Sequence, residues 1–151
     1  MIEGVKIKKL KVIPDNRGRL MEILRKDDEL FEEFGQVYMT TAFPGIVKAW
    51  HYHKKQTDNF TCIKGKMRLG LCDGRKDSKT HGNVEEYIIS IDENPILVQI
   101  PPEVYHGFKC ISEDEALVIN VVTVPYDRNV PDEYRLDPYD NDIQFDWKKD
   151  F

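Results

Sequence analysis

The sequence predicts an all-β protein whose short strands form a barrel or a sandwich. Two observations support this prediction: apolar and polar residues alternate over many short segments, and clusters of turn residues separate those segments. The segments are also rich in β-branched and aromatic residues, which favour strands. Only DDELFEEF, at residues 27–34, has a helical pattern, and it is short. Closely spaced strands of this kind are typical of β-sandwiches and β-barrels.

The predicted strands follow one another along the whole chain. In order, they are VKIKKLKVI, RLMEIL, QVYMTTA, IVKAWHY, NFTCIK, MRLGLC, EEYIIS, ILVQI, HGFKCI and ALVINVVTV. Turn residues separate them, for example at Pro44-Gly45 and Asp73-Gly74. The tail from Tyr126 onward is acidic and rich in Pro and Tyr, and we expect it to wrap the barrel as ordered loop. Because no internal repeat or linker interrupts the series, we expect a single domain over residues 1–151.

Composition excludes several classes of protein. The chain has 151 residues, a formal net charge of -5 and 40% hydrophobic residues, which suits one ordinary core and argues against a nucleic-acid partner. Without an apolar run of membrane-spanning length or a secretory signal, we expect a cytoplasmic protein with no membrane partner. Cys62, Cys72 and Cys110 each lie in an apolar run and lack metal-binding spacing. We therefore expect buried free thiols.

The most informative segment is GIVKAWHYHKKQTDNFTCIKG, from Gly45 to Gly65. His51 and His53 stand two residues apart, so in a strand both imidazoles would project from the same face. Asp58 follows after a turn-sized gap. Glycine, His-x-His, acid and glycine at these spacings resemble the first motif of the cupin fold, with Asp58 in the place of the usual glutamate.

A second segment, PPEVYHG, resembles the other cupin motif. Pro101 and His106 stand where that motif has them, whereas Glu103 replaces its glycine and Cys110 its asparagine. Two motifs in the correct order are much more specific than a single His-x-His. The resemblance implies a cupin fold, which is a double-stranded β-helix or jelly-roll barrel, here with the one short helix at residues 27–34.

The histidines and the acid allow two kinds of site. If a metal is bound, the only set able to form a site of protein ligands alone is His51, His53, Asp58 and His106. The same residue types also carry out acid-base chemistry in polar pockets. Their spacing alone does not separate these alternatives.

Four segments in order resemble the dTDP-4-dehydrorhamnose 3,5-epimerase family, whose members are cupin-fold dimers that work without a metal. The segments are PDNRGRLMEIL, VKAWHYH, IPPEVYHGF and VPYDRNVPDEYRLDPYD. The resemblance implies a nucleotide-sugar epimerase in deoxysugar or polysaccharide biosynthesis. It also implies a homodimer that takes a dTDP-linked 4-keto sugar and needs no cofactor.

The resemblance assigns roles to individual residues. His51 stands where the family has its catalytic base, and Tyr126 where it has the tyrosine acid. A base of this kind removes a proton next to the ketone, and the acid returns one on the other face with inversion. Substrate-binding roles fall to a second group: Arg17 and Glu22 at the nucleotide, Lys48 at the phosphates, and His53 and His106 in the pocket.

Two departures from the family pattern concern Asp58 and His53. Asp58 replaces the lysine that would stabilise the enolate, and His53 replaces a glutamine. The resemblance places the aspartate that orients the family's histidine beyond Phe151, so within this sequence we expect Asp58, the nearest candidate, to orient His51. Because a ligated imidazole cannot accept a proton at the bound nitrogen, a catalytic His51 favours a site with no required metal.

Three alternative functions remain open from the sequence. The run from His51 to Lys54 resembles the dTDP-sugar 3,4-ketoisomerases, which move a carbonyl through an enediol. A metal-dependent cupin and a non-catalytic sugar-binding cupin are the other two. Deuterium exchange next to the ketone separates the enzymes from the binding protein, because only catalysis exchanges those hydrogens. His81, in a polar run, is expected on an exposed turn without a role.

Overall fold

A computed structural model describes residues 1–149 as two five-stranded antiparallel sheets and a separate hairpin. The strands are β1 (Lys6–Lys9), β2 (Val12–Asp15), β3 (Gly18–Met21), β4 (Gln36–Ala42), β5 (Val47–Tyr52), β6 (Asp58–Lys64), β7 (Met67–Asp73), β8 (Val84–Ile89), β9 (Ile96–Ile100), β10 (Val104–Cys110), β11 (Ala116–Val122) and β12 (Tyr134–Arg135). One sheet has the order β1-β9-β6-β11-β4 and the other β12-β5-β10-β7-β8, while β2 pairs with β3. The predicted jelly-roll architecture is confirmed.

The two sheets share a hydrophobic core. On β11, buried and half-buried residues alternate along the whole strand, as expected when only one face meets the core. Every residue of β7 is buried, because the second face of that strand is covered as well. Leu69 on β7 belongs to the core and is fully buried, so truncating it to alanine should cost about 2–5 kcal/mol.

The C-terminal segment covers the outer face of the second sheet. Trp147 and Phe145 pack against Trp50, with ring centroids 5.0 and 5.4 Å from the Trp50 ring. A Cβ on Gly70 would lie 2.8 Å from atoms of Phe145 and Trp147, so only glycine fits beneath these rings. Trp50 therefore faces away from His51 and His53, and the tail wraps the barrel as predicted.

The predicted helix at residues 27–34 was wrong, because this segment forms turns. Two of its amides form tight turn bonds, from Asp28 N to Arg25 O and from Phe31 N to Asp28 O. The Asp28 carboxylate accepts hydrogen bonds from the Arg25 amide and from Lys8. The carbonyl of Leu30 accepts a bond from the Gln99 side chain. A distant side chain thus satisfies a carbonyl that a helix would have paired internally, and the Asp28 carboxylate holds the turn in place.

The β2–β3 hairpin and strand β4 leave apolar side chains on the surface of the single chain. Leu20 on β3 is 58% exposed, and Met39 on β4 is 56% exposed. Strand β4 is also an edge strand, so one side of its backbone is unpaired within its sheet.

The cysteine prediction is confirmed, since Cys62, Cys72 and Cys110 are all free and buried. Residues 1–149 contain no helix that is long and apolar enough to cross a membrane.

Candidate active site

A pocket of about 1000 Å³ opens between strands β4, β5 and β10 and the segment at residues 124–138. Its lining includes the three predicted histidines of the two motifs, namely His51, His53 and His106. Lys48 and Tyr126 line it as well. The structure therefore brings together residues from both motifs and from the C-terminal region.

Strand pairing explains how the two motifs meet. Strand β10 pairs with β5, and His106 lies directly opposite His51 in this ladder. A bulge follows between His106 and Phe108. A Cβ on Gly107 would lie 2.2 Å from the Cβ of Ala49, so the glycine permits the close approach of the two strands. The His51 and His106 rings have centroids 6.4 Å apart.

His51 faces an acid that the motif analysis missed. Its Nδ1 lies 3.4 Å from Oε1 of Glu133, and both side chains are about three-quarters buried. Burial, assisted by the nearby His106, lowers the pKa of His51 to about 4, although Glu133 opposes this shift. The imidazole is therefore neutral at neutral pH, which is the state that can accept a proton.

Asp58 contacts the other two histidines and not His51. Its Oδ2 lies 3.4 Å from Nε2 of His53 and 3.7 Å from Nε2 of His106. The carboxylate beside His51 is that of Glu133, so the predicted orienting contact from Asp58 to His51 is replaced by one from Glu133. Burial lowers the pKa of His106, against the attraction of Asp58.

Amide groups hold the second oxygen of Asp58. Its Oδ1 accepts hydrogen bonds from Nδ2 of Asn120, at 2.7 Å, and from Nε2 of Gln56, at 2.9 Å. Asn120 also hydrogen-bonds the hydroxyl of Tyr38, which lines the pocket. Asp58 itself is only 1% exposed. Its orientation is therefore fixed by neutral groups, which leave Oδ2 directed at the two imidazoles.

Asp132 fixes the loop that carries His53. Its carboxylate accepts backbone N–H bonds from Lys54, Lys55 and Gln56. Burial alone would raise the pKa of Asp132, but these bonds hold it below its usual value. Nδ1 of His53 bonds the carbonyl oxygen of Asp132. The loop after β5 is thus attached to the segment that closes the pocket.

The remaining predicted residues divide into two groups. Nζ of Lys48 bonds the hydroxyl of Thr40, and Tyr126 is 55% exposed, so both are accessible from the pocket. Arg17 and Glu22 do not line it; they lie on or beside the hairpin, paired with Asp15 and Arg25 respectively.

Some site residues escaped the sequence analysis, although a signal existed for two of them. Asn120 is a polar residue at an inward position of the apolar run ALVINVV, which marks a buried polar contact. Glu133 lies within the tail segment that already resembled the family. Gln56 and Tyr38 carry no comparable signal, because nothing local distinguishes them.

The fold and this pocket define a jelly-roll protein with an acid-base site suited to a small polar substrate. The sequence model of the dTDP-4-dehydrorhamnose 3,5-epimerase family matches residues 1–151. The chain belongs to this family. That membership confirms the predictions of an isomerase and of a nucleotide-sugar epimerase, and it does not favour the three alternatives.

Curated relatives and solved structures agree with this membership. The chain is 40% identical to the spore coat polysaccharide biosynthesis protein SpsL of Bacillus subtilis, over 100% of this chain and 99% of the relative. It is 39% identical to the probable low-salt glycan biosynthesis epimerase Agl13 of Haloferax volcanii, over 92% and 89% of the two chains. A dTDP sugar isomerase from Desulfovibrio desulfuricans G20 superposes with a TM-score of 0.92 at 32% identity, covering 97% and 92% of the two chains.

Proposed function

We propose that the protein epimerises a dTDP-linked 4-keto-6-deoxy sugar for the synthesis of a surface polysaccharide or glycan. The observation that carries this proposal is the buried, neutral His51 beside Glu133 in a pocket that Tyr126 also lines. The family description supports the dTDP-linked sugar. The names of the relatives support the pathway, since SpsL and Agl13 are described as polysaccharide and glycan biosynthesis proteins.

In the proposed mechanism, His51 takes the proton from a carbon next to the ketone. The electron pair of that C–H bond moves toward the carbonyl oxygen and gives an enolate. Tyr126 then returns a proton on the opposite face, which inverts the carbon. Glu133 positions the imidazole and stabilises the imidazolium that forms, because a carboxylate at 3.4 Å favours the charged ring. Positioned bases of this type contribute about 10²–10⁴-fold to the rate.

Lys48 and the hairpin are the proposed binding elements. The ammonium group of Lys48 is exposed at the pocket and carries the charge needed for the phosphates. Because Arg17 and Glu22 are remote from this pocket within one chain, we assign them to the pocket of a second copy. The exposed apolar residues of the hairpin and the unpaired edge of β4 support a homodimer that covers them. We place this dimer in the cytoplasm.

Proton NMR in D2O tests the proposal with dTDP-4-keto-6-deoxyglucose as substrate. We expect deuterium to enter next to the ketone with inversion of that carbon. His51→Asn should abolish exchange, whereas the matched variant His81→Asn, on an exposed turn, should exchange like the wild type. A 3-keto product would indicate a ketoisomerase, and tight binding without exchange would indicate a binding protein. Either result contradicts the proposal.

Sedimentation at micromolar concentration tests the dimer separately. A 17.7 kDa species would contradict it.

A further inference from the structure

Three potential metal ligands converge beside the pocket, which His53 and His106 line and behind which Asp58 is buried. Nε2 of His53 and Nε2 of His106 lie 3.4 and 3.7 Å from Oδ2 of Asp58, and all three atoms lie within 4.8 Å of one another. Ligands around a four-coordinate transition metal, bound at about 2.0–2.2 Å, stand about 3.3–3.6 Å apart. A small inward movement would therefore let these three atoms share one ion.

The outer hydrogen bonds of the three side chains point the ligand atoms inward. Nδ1 of His53 bonds the Asp132 carbonyl, and Nδ1 of His106 bonds the Val104 carbonyl at 3.0 Å. A carbonyl can only accept, so each Nδ1 carries the hydrogen and each Nε2 carries a lone pair when the ring is neutral. At His53 the side-chain amide of Gln56 lies 3.3 Å from this lone pair and would give way to the ion. Metal-binding histidines almost always show this pattern. On Asp58, Gln56 and Asn120 occupy Oδ1 and leave Oδ2 for the ion.

The charge of Asp58 gives an independent reason for a cation. Its side chain is almost completely buried, and within residues 1–149 no lysine or arginine nitrogen comes within 4 Å of its carboxylate. A buried carboxylate without a cation costs several kcal/mol of desolvation. The two imidazoles, of His53 and His106, are the ion-pair partners of Asp58 in this part of the structure, and each is positive only when it is protonated. A divalent ion at Oδ2 would compensate this charge and would leave both imidazoles neutral.

We propose that His53, Asp58 and His106 bind one divalent first-row transition-metal ion. Two imidazoles and one carboxylate are ligands that zinc, iron, manganese and nickel accept. The structure assigns only three of the four candidates from the sequence to this ion, because His51 lies outside the group whose ligand atoms come within 4.8 Å of one another. Metal binding and a free base at His51 are therefore compatible, and the competition that favoured a metal-free site no longer applies.

The chemical role of the ion rests on the proposed function, whereas its binding does not. When bound, the ion would supply positive charge next to the substrate oxygen in a chain whose residue at this position is Asp58 and not a lysine.

The test uses the full-length protein after treatment with a chelator, followed by dialysis. Calorimetric titration with Zn²⁺ and with Mn²⁺, and elemental analysis after gel filtration, should give one ion per chain for at least one metal. His53→Gln and Asp58→Asn should weaken binding at least about 100-fold, since each removes a ligand. The matched variants His81→Gln and His51→Asn should bind like the wild type. Added metal should raise the melting temperature of the wild type and of the two matched variants only.

Failure of this inference is distinguishable from failure of the proposed function. No stoichiometric ion in the wild type, or equal affinity in Asp58→Asn, would overturn the metal site, while deuterium exchange by the same metal-free protein would leave the epimerase proposal standing. Because Asp58→Asn keeps the side-chain shape and removes a buried charge, circular dichroism should show that it folds. If deuterium exchange is lost after chelation and returns when the metal is added, the ion also takes part in the reaction.

Discussion

Two aspartates are fully buried in this barrel, and their surroundings differ. Asp73, at the end of β7, is 0% exposed and accepts bonds from Arg75 Nε at 2.8 Å and from Ser78 Oγ at 2.6 Å. Thr80 adds a third side-chain donor. Asp58 is equally buried but has two amides and two imidazoles around it and no fixed cation within residues 1–149. Both carboxylates lie inside one fold, so burial alone does not distinguish their roles.

The difference separates a structural carboxylate from one prepared for chemistry. The partners of Asp73 lie two to seven residues away and form a self-contained turn. Despite burial, these bonds hold the pKa of Asp73 well below its usual value. Asp58 accepts a hydrogen bond from Asn120, which is 62 residues away in the sequence. Its other oxygen, Oδ2, is held by no amide and lies near His53 and His106, which line the pocket. A buried carboxylate without a fixed cation is costly for folding, and such groups are concentrated at functional sites.

The largest effect is expected on catalysis at the pocket. His51→Asn should slow deuterium exchange by about 10²–10⁴-fold or more, because it removes the base. Nucleotide-sugar affinity should stay within about tenfold, since a base stabilises the transition state and not the bound ground state. Single-turnover NMR and a binding titration measure the two quantities. Full exchange activity in this variant would contradict the assignment of His51.

Removing the Asp73 carboxylate should lower the free energy of unfolding more than removing that of Asp58. Asp73→Ala leaves Arg75 and two hydroxyls without their partner, and we expect the free energy of unfolding to fall by about 3–5 kcal/mol. Asp58→Asn, measured without metal, should instead raise it, because the substitution removes a buried charge that has no fixed cation as a partner. Urea denaturation of both variants measures this contrast. Equal losses would remove the distinction between the two sites.

The pH dependence of stability should show the contribution of the Asp73 carboxylate. A carboxylate whose folded pKa is depressed stabilises the fold above its unfolded pKa of about 3.9 and loses that contribution as the pH falls further. The unfolding free energy of the wild type should therefore decline as the pH falls below about 4. In Asp73→Asn, which cannot titrate there, the decline should be shallower. Chemical denaturation between pH 3 and 6 gives both slopes; parallel slopes would exclude Asp73 as a source.

Tyr126→Phe should separate exchange from inversion. If the tyrosine only returns the proton on the second face, His51 can still deprotonate the sugar. Deuterium exchange should then persist, while inversion slows by about tenfold or more. NMR that follows label and configuration together measures both. Equal loss of exchange and inversion would assign Tyr126 an earlier role.

The smallest effect concerns Glu103, which occupies the place of the second motif's glycine. Its φ of 62° lies in the left-handed region that glycine adopts without cost. Glu103→Gly should therefore stabilise the protein by up to about 1 kcal/mol. Glu113→Gly, on an exposed bend without a positive φ, is the matched control and should not stabilise it. Thermal denaturation compares the two, and a loss of stability in Glu103→Gly would show that its side chain matters more than its backbone.

The sequence predicted what local patterns encode. Alternation identified the strands, and two short motifs identified His51, His53 and His106, because each lies within one strand or next to one turn. The helix at residues 27–34 was wrong because its polar groups bond to distant partners such as Gln99, 69 residues from Leu30. Glu133 was missed for the same reason, since its contact with His51 depends on how the tail returns to the barrel.

The attachment of the His53 loop to Asp132 has a consequence for the order of folding. The bonds that join them span 76 to 79 residues of sequence, so closing this contact carries a loop-entropy cost that the local hairpins do not. During synthesis, most of the barrel leaves the ribosome before Asp132 does. The pocket is therefore completed late, and enzymatic activity reports on the docking of the last part of the chain more directly than strand content would.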